Sequence, residues 1–301
     1  MGSTPHARHP LRGVLLIMTA VFMFSSMDTL AKYLLRTYPV APLIWARYFV
    51  QFAFILVVFG PRMGMGLVRT KHPALQSLRG LLLVCSTAFF YLSLKFLPLA
   101  EAAAISFVGP VMVTALSGPL LGEKVGRRQW IAVMLGFLGV LIIVRPGGAV
   151  FSPVVLLPLI CALFFSLYQI ATRKVAGRDD SMTTLFFGAL VGAVALSVAL
   201  PFMWQTPTLL QGVLILCVGL LGGFGHWLLI RAVEHASPMA LAPFVYVQLV
   251  WSTTLAWLAF GDFPDGGTLS GMAVIILAGM LAVNWKHMRG RPNPTDQTQT
   301  H

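Results

Sequence analysis

The sequence has little charge. Asp, Glu, Lys and Arg together make up only 10% of its 301 residues, and only nine of these are acidic. A water-soluble domain carries about 25% charged residues, so an ordinary soluble fold is excluded. Cysteine is scarce too: Cys85, Cys161 and Cys217 all fall inside apolar runs. They offer no disulfide framework and no spaced metal site, and each reads as a small apolar packing residue. Also missing are HExxH, GxSxG and GxxxxGK[ST], which argues against a metalloprotease, a serine hydrolase and an ATP-driven machine. Neither a pore loop nor a ring of charges suggests an ion channel.

What fills the sequence is apolar. Hydrophobic residues make up 57% and mean hydropathy is +0.84. A membrane-spanning helix needs about 20 mainly apolar residues. Ten such runs are found at about 13–34, 41–59, 76–96, 99–121, 128–144, 153–172, 182–203, 208–230, 237–260 and 268–286. They are long and lack polar alternation, so helices are expected rather than barrel strands. The first run is too long for a signal-peptide core and is read as a retained helix.

The formal charge of +12 suggests a nucleic-acid partner until its distribution is examined. With the N-terminus in the cytoplasm, 16 Lys and Arg fall on the cytoplasmic side, Arg79 among them, against four outside (Lys32, Arg36, Lys95 and Arg145). That asymmetry is the positive-inside pattern for two cytoplasmic termini. The basic residues therefore serve topology, and no nucleic acid is expected.

One stretch occurs twice. Residues 91–123 and 230–262 align without a gap at an offset of 139, with 6 of 33 positions identical, including Ala103/Ala242, Thr114/Thr253 and Gly122/Gly261. Both copies run from an apolar segment through a mildly polar turn into about 20 apolar residues, and both close on a Gly-acid pair, Gly122-Glu123 and Gly261-Asp262. Five spans per half would place the second half in the membrane upside down. The basic turn at 124–128 and its non-basic twin at 263–267 agree with that inversion. The fold expected is all-α, with ten transmembrane helices as an inverted 5+5 repeat. Its parts are a cytoplasmic tail (1–10), a first repeat (11–146), a linker (147–152), a second repeat (153–288) and a disordered cytoplasmic tail (289–301).

Ionisable residues inside a membrane mark functional sites by default. Arg47 lies in the second span with Gln51 one turn on, and it cannot shed its charge. Asp28 in the first span stands four residues before Lys32, and Glu101 starts the fourth. Two readings stay open: structural ion pairs (Asp28 with Lys32, or Arg47 with Asp28 and Glu101), or a substrate site with Arg47, Asp28 and Glu101 at its charged end. Tyr91, Gln169, His226, Tyr246 and Gln248 would then supply polar contacts deeper in. Asp28 is the first choice for carrying a proton.

The texts LPLAEAAAISFVGPVMVTALSGPLLGEKVGRRQW, GFLGVLIIVRPG and ASPMALAPFVYVQLVWSTTLAWLAFGDFP resemble the EamA-type family of the drug/metabolite transporter superfamily over about residues 11–288. The resemblance implies a central cavity between two inverted halves, with the fifth and tenth helices peripheral. FSSMDTLAKYL and PLIWARYF are similar to a branch that includes riboflavin transporters, S-adenosylmethionine carriers and exporters of opine-type metallophores. The implied function is secondary transport of a small organic metabolite across the inner membrane. Export of an amino-acid-derived, carboxylate-bearing compound by proton antiport is the leading expectation; uptake of riboflavin or S-adenosylmethionine is the alternative, and a membrane-embedded enzyme the non-transport one. The expected partners are the metabolite and membrane lipids. No cofactor or metal is expected, and a homodimer stays open.

Overall fold

The computed structural model describes residues 10–122, 125–145, 153–175, 178–198, 200–236 and 238–282. The expected tails (apart from Pro10), the linker 147–152, and Glu123 with Lys124 lie outside the described residues. Everything described is helix, turn or loop, with no strand. The helices are α1 (Pro10–Leu34), α2 (Val40–Met63), α3 (Pro73–Leu94), α4 (Leu99–Ser106), α5 (Gly109–Leu121), α6 (Arg127–Val144) and α7 (Leu156–Val175). There follow α8 (Ser181–Ser197), α9 (Leu200–Met203), α10 (Leu209–His235), α11 (Pro238–Val245), α12 (Val247–Phe260) and α13 (Gly266–Ala282). Eight of the helical spans are long and apolar enough to cross a membrane, counting α4 with α5 and α11 with α12 as one span each. Helices α8 and α13 are apolar but have only 17 residues each, about 26 Å at 1.5 Å per residue.

Local chemistry sets several ends. Asp180 caps α8 by accepting from the Met182 N–H at 2.8 Å. Thr208 and Gln211 form a reciprocal capping box at the start of α10, each side chain accepting from the other's backbone N–H. Helices α5 and α12 stop at Gly122 (φ 70°) and Gly261 (φ 75°). This left-handed conformation terminates helices and suits glycine because it has no Cβ.

The sequence repeat reappears in the backbone. One copy breaks between α4 and α5 at Phe107 and Val108, and the other between α11 and α12 at Tyr246. The offset of 139 pairs Phe107 with Tyr246, and their rings touch with centroids 5.7 Å apart. In the first copy Pro110, which has no N–H to give the carbonyl of Ser106, accounts for the break.

Packing interleaves the two halves. The principal neighbours are α1 with α10, α3 with α7, α2 with α8 and α6 with α13. Trp45 donates to Ser197 Oγ at 2.9 Å, whereas Phe52 meets Phe186 at 5.4 Å, so α2 and α8 run antiparallel. Helices α6 and α13 do too: Arg145, beyond the end of α6, reaches Asp265 at the start of α13, and Gly139 packs on Ile275. At the α6/α13 crossing a Cβ on Gly271 would come within 2.7 Å of the Gly139 carbonyl oxygen, so the backbones approach as closely as small residues permit.

Candidate functional site

Helices α1, α2, α3 and α10 meet around Arg47. On α2, Arg47 and Gln51 are four residues apart and share one face; on α3, Thr87 and Tyr91 do the same. All four are buried, Arg47 with 6% and Gln51 with 2% of its surface exposed. Arg47 Nη1 donates to Thr87 Oγ1 at 3.1 Å, and the same oxygen is 2.8 Å from the Tyr48 hydroxyl. The guanidinium lies 5.3 Å from the Tyr48 ring centroid and 5.6 Å from that of Tyr91, within range of a cation–π attraction.

These contacts leave the site incomplete. Arg47 Nε, Gln51 Oε1 and the Tyr91 hydroxyl are buried without a hydrogen-bond partner. Asp28 on α1, 7% exposed, is within electrostatic range of Arg47, yet no described residue forms an ion pair with it or donates to its carboxylate. A bare buried polar group costs about 1–3 kcal/mol, and more when charged.

Helix α10 packs closely against the cluster at Gly222. A Cβ on Gly222 would stand 3.2 Å from Met27 Sδ, 3.6 Å from Arg47 Nε and 3.7 Å from Gln51 Oε1. One turn on, His226 Nδ1 lies 2.8 Å from the Gly222 carbonyl oxygen, and its ring meets Phe24 edge-on at 4.9 Å. His226 is thus a neighbour of the cluster, placed on the turn that flanks it.

The other sequence candidates lie elsewhere. Lys32 turns away from Asp28: its ammonium donates to the Leu97 carbonyl at 2.7 Å and stands 3.8 Å from Asp262 Oδ2. The Asp28–Lys32 pair is not formed, because Lys32 has its partners across the helix bundle. Glu101 interacts electrostatically with Asp265, Arg145 and Lys32 rather than with Arg47. At that same end the Thr268 N–H at 2.8 Å, together with Arg145 at 2.6 Å, pulls the Asp265 carboxyl down to about 2. Tyr246 is buried against Gly279 with its hydroxyl unpartnered. The Gln248 carbonyl accepts from Ser25 at 3.2 Å. Gln169 is half-buried on α7.

A second polar cluster was not anticipated. Arg79, counted above among the cytoplasmic charges, lies inside α3 with 3% of its surface exposed. It donates to Gln76 Oε1 at 3.2 Å, to the Tyr168 hydroxyl at 3.1 Å and to the Thr184 carbonyl, and it lies over the Tyr168 ring. Gln76, fully buried, donates to Asp179 at 2.9 Å and to Thr184 Oγ1 at 3.1 Å. Burial pushes the Asp179 carboxyl up, but the donors Thr70, Gln76 and the Lys71 N–H outweigh it and hold the group below its ordinary value. The network ties α3 to α7 and α8. The available sequence signal was an arginine three residues after a glutamine, already within an apolar run.

Comparison with known proteins agrees with this architecture. A family model described as the EamA-like transporter family matches residues 11–145 and 152–284. An S-adenosylmethionine uptake transporter of Rickettsia bellii is 30% identical over 262 residues, covering 86% of this chain and 89% of that one. A riboflavin transporter of Vibrio cholerae is 28% identical, covering 94% and 96%. A pseudopaline exporter of Pseudomonas aeruginosa is 29% identical, covering 88% and 94%. A solved crystal structure at 21% identity shares the fold, with a TM-score of 0.63 over 90% of this chain and 96% of that one. Two matched repeats, long apolar helices and these full-length similarities give one conclusion: the chain is a multi-pass inner-membrane protein and belongs to the EamA-like transporter family.

Proposed function

We propose that this chain is a secondary transporter that exports a small, amino-acid-derived, carboxylate-bearing compound, metallophore-like in character, by proton antiport. The observation that carries the reading is Arg47: a buried cation among ring faces, with no described carboxylate in ion-pair contact and an unpartnered Nε. A guanidinium so held is ready to clamp a carboxylate. Asp28, buried nearby and charged by type, is the group assigned the proton. The absence of an ATP-binding motif leaves an ion gradient as the energy source. Uptake of a vitamin or nucleoside-like compound is the second reading, favoured by the R. bellii and V. cholerae relatives. Inverted membrane vesicles should accumulate the exported compound unaltered when an inside-acid gradient is imposed. Accumulation that survives collapse of the gradient sinks proton coupling, and chemical conversion of the compound sinks transport.

The same reading gives the chain ten transmembrane helices as an inverted repeat with both termini cytoplasmic. Number ten spans in order, with α4–α5 and α11–α12 as the fourth and ninth. The principal helix neighbours then map onto themselves when each span is exchanged for the one five places away: first with eighth becomes sixth with third. The equivalent pairs α2/α8 and α6/α13 are antiparallel, as an inverted repeat requires. Orientation follows from the charge asymmetry. In a background lacking the three native cysteines, single cysteines at 37, 97, 205 and 265 should react with an impermeant thiol reagent added outside. Those at 66 and 126 should be protected, and the opposite pattern overturns the orientation.

A further inference from the structure

Basic residues are scarce on the outer side of this topology: Lys32, Arg36, Lys95 and Arg145, against 16 on the other side. Three of those four line one pocket of about 330 Å³, where the ends of α1 and α3 meet the segment after α12. That volume lies at the lower end of the range for small-ligand sites, about 300–1,000 Å³. Leu94, Phe96, Leu97 and Pro98 build its apolar wall, and Asp262 is the one carboxylate in the lining. The cations are held in place. Lys32, its side chain 11% exposed, donates to the Leu97 carbonyl at 2.7 Å. Its ammonium lies 5.5 Å, and the Arg36 guanidinium 4.8 Å, from the centroid of the same ring, Phe260. Two like charges are therefore gathered on one aromatic ring.

The neighbouring carboxylates do not neutralise them. Among the described residues Asp262 pairs with Lys32 alone, and at 3.8 Å it is too far for a hydrogen bond. Glu101 acts on Lys32 from α4, and Arg145 is matched by Asp265 at 2.6 Å. Lys32, Arg36 and Lys95 against Asp262 and Glu101 leave one positive charge over. A basic side chain at a helix C-terminus is ordinarily served by the helix dipole. That accounts for Lys32 and Lys95 at the ends of α1 and α3, but not for their lining one hollow together with Arg36. We propose that this pocket is a second binding site, apart from the Arg47 cluster, for an oxyanion of the phosphate or carboxylate class. Arg36 and Lys95 supply the donors, and Lys32 the fixed charge beside them. The headgroup of an anionic lipid and a free anion share this chemistry, and both reach helix ends at the membrane surface. The site stands on the placement of these residues; the orientation enters only in calling it outer, and the cysteine-labelling pattern tests that separately.

For the test, the protein is placed in phosphatidylcholine nanodiscs with its three native cysteines replaced and a polarity-sensitive fluorophore on Phe263→Cys. Phe263 is 60% exposed and follows Asp262 without lining the pocket. Inorganic phosphate or acetate is titrated at constant ionic strength, and in parallel discs phosphatidylglycerol replaces part of the phosphatidylcholine. A saturable change is expected in at least one series. Arg36→Gln combined with Lys95→Gln should raise the half-saturating concentration by about tenfold or more, the scale of a lost hydrogen bond to a charged group. Lys32 is left in place, so its link from α1 to the Leu97 carbonyl survives in that variant. A response to phosphate or acetate identifies a free anion as the ligand, and a response to phosphatidylglycerol alone identifies a lipid. No saturable response to any of the three overturns the site, as does equal half-saturation in the double variant. So does an equal response from the same label on Gly66→Cys, beyond the other end of α3, where a side chain meets open space; that result would mark a diffuse charge effect.

Discussion

Arg47→Lys is expected to lower transport by about tenfold to a hundredfold, the range for a lost charge-assisted hydrogen bond, while the protein still folds and inserts. Lysine preserves the charge, but its ammonium is a point donor on a flexible stem and cannot present the planar fork that binds a carboxylate bidentately. It also moves the delocalised charge that lies 5.3 Å and 5.6 Å from the Tyr48 and Tyr91 ring centroids. The fold should tolerate the change because, among the described residues, Arg47 makes no ion pair and its one well-formed hydrogen bond is to Thr87. Tyr48 keeps its own contact with Thr87 at 2.8 Å when the guanidinium is gone. A buried cation without an ion pair is a burden on folding, so Arg47→Ala should match or exceed the wild type in thermal stability. A loss of stability on that substitution would instead mark Arg47 as structural.

Arg79 is expected to behave in the opposite way. Arg79→Leu removes the donors to Gln76 Oε1, the Tyr168 hydroxyl and the Thr184 carbonyl at once, leaving one buried and two part-buried acceptors short of a donor. At about 1–3 kcal/mol for each stranded group, the variant should lose roughly 3–5 kcal/mol. Its unfolding midpoint in detergent should fall by at least about 5 °C. Arg79→Lys should recover only part of that, since one ammonium cannot span acceptors on α3, α7 and α8. A midpoint for Arg79→Leu equal to that of the wild type would show that the network carries no load. The two buried arginines thus make opposite predictions from one principle: Arg79 has its acceptors in the fold, and Arg47 lacks them.

That contrast also marks the limit of the sequence. Composition and span length placed the chain in a membrane, because burial in lipid demands long apolar runs whatever the tertiary arrangement. The offset of 139 pairs the two helix breaks that the structure shows, since a repeat copies backbone geometry even where few side chains are kept; Phe107 and Tyr246 differ yet occupy the same turn. Arg47 stood out because a charge amid apolar residues needs a reason. Partner choice was another matter. Asp28 and Lys32 have the spacing of a helical ion pair, but Lys32 finds the Leu97 carbonyl and Asp262 across the bundle. Glu101 likewise faces the cations Arg145 and Lys32, with Asp265 opposing them. Arg79 was hidden for a different reason. Near a helix boundary a buried arginine and a cytoplasmic topology signal look alike, and only packing against Tyr168 and Thr184 tells them apart. Gly222 matters for how closely it lets α10 approach Met27, Arg47 and Gln51, which no residue-by-residue reading can weigh.

The central claim is that Arg47 holds the cargo rather than the fold, and one comparison tests it most directly. Vesicles bearing wild type, Arg47→Ala, or Arg47→Ala with Asp28→Asn are loaded to equal protein levels and given the same inside-acid gradient. Uptake of the exported compound is then followed. Wild-type vesicles should accumulate it, and neither variant should, although both are inserted at normal levels. Normal accumulation by Arg47→Ala, or an Arg47→Ala protein that fails to insert until Asp28→Asn rescues it, would contradict the account.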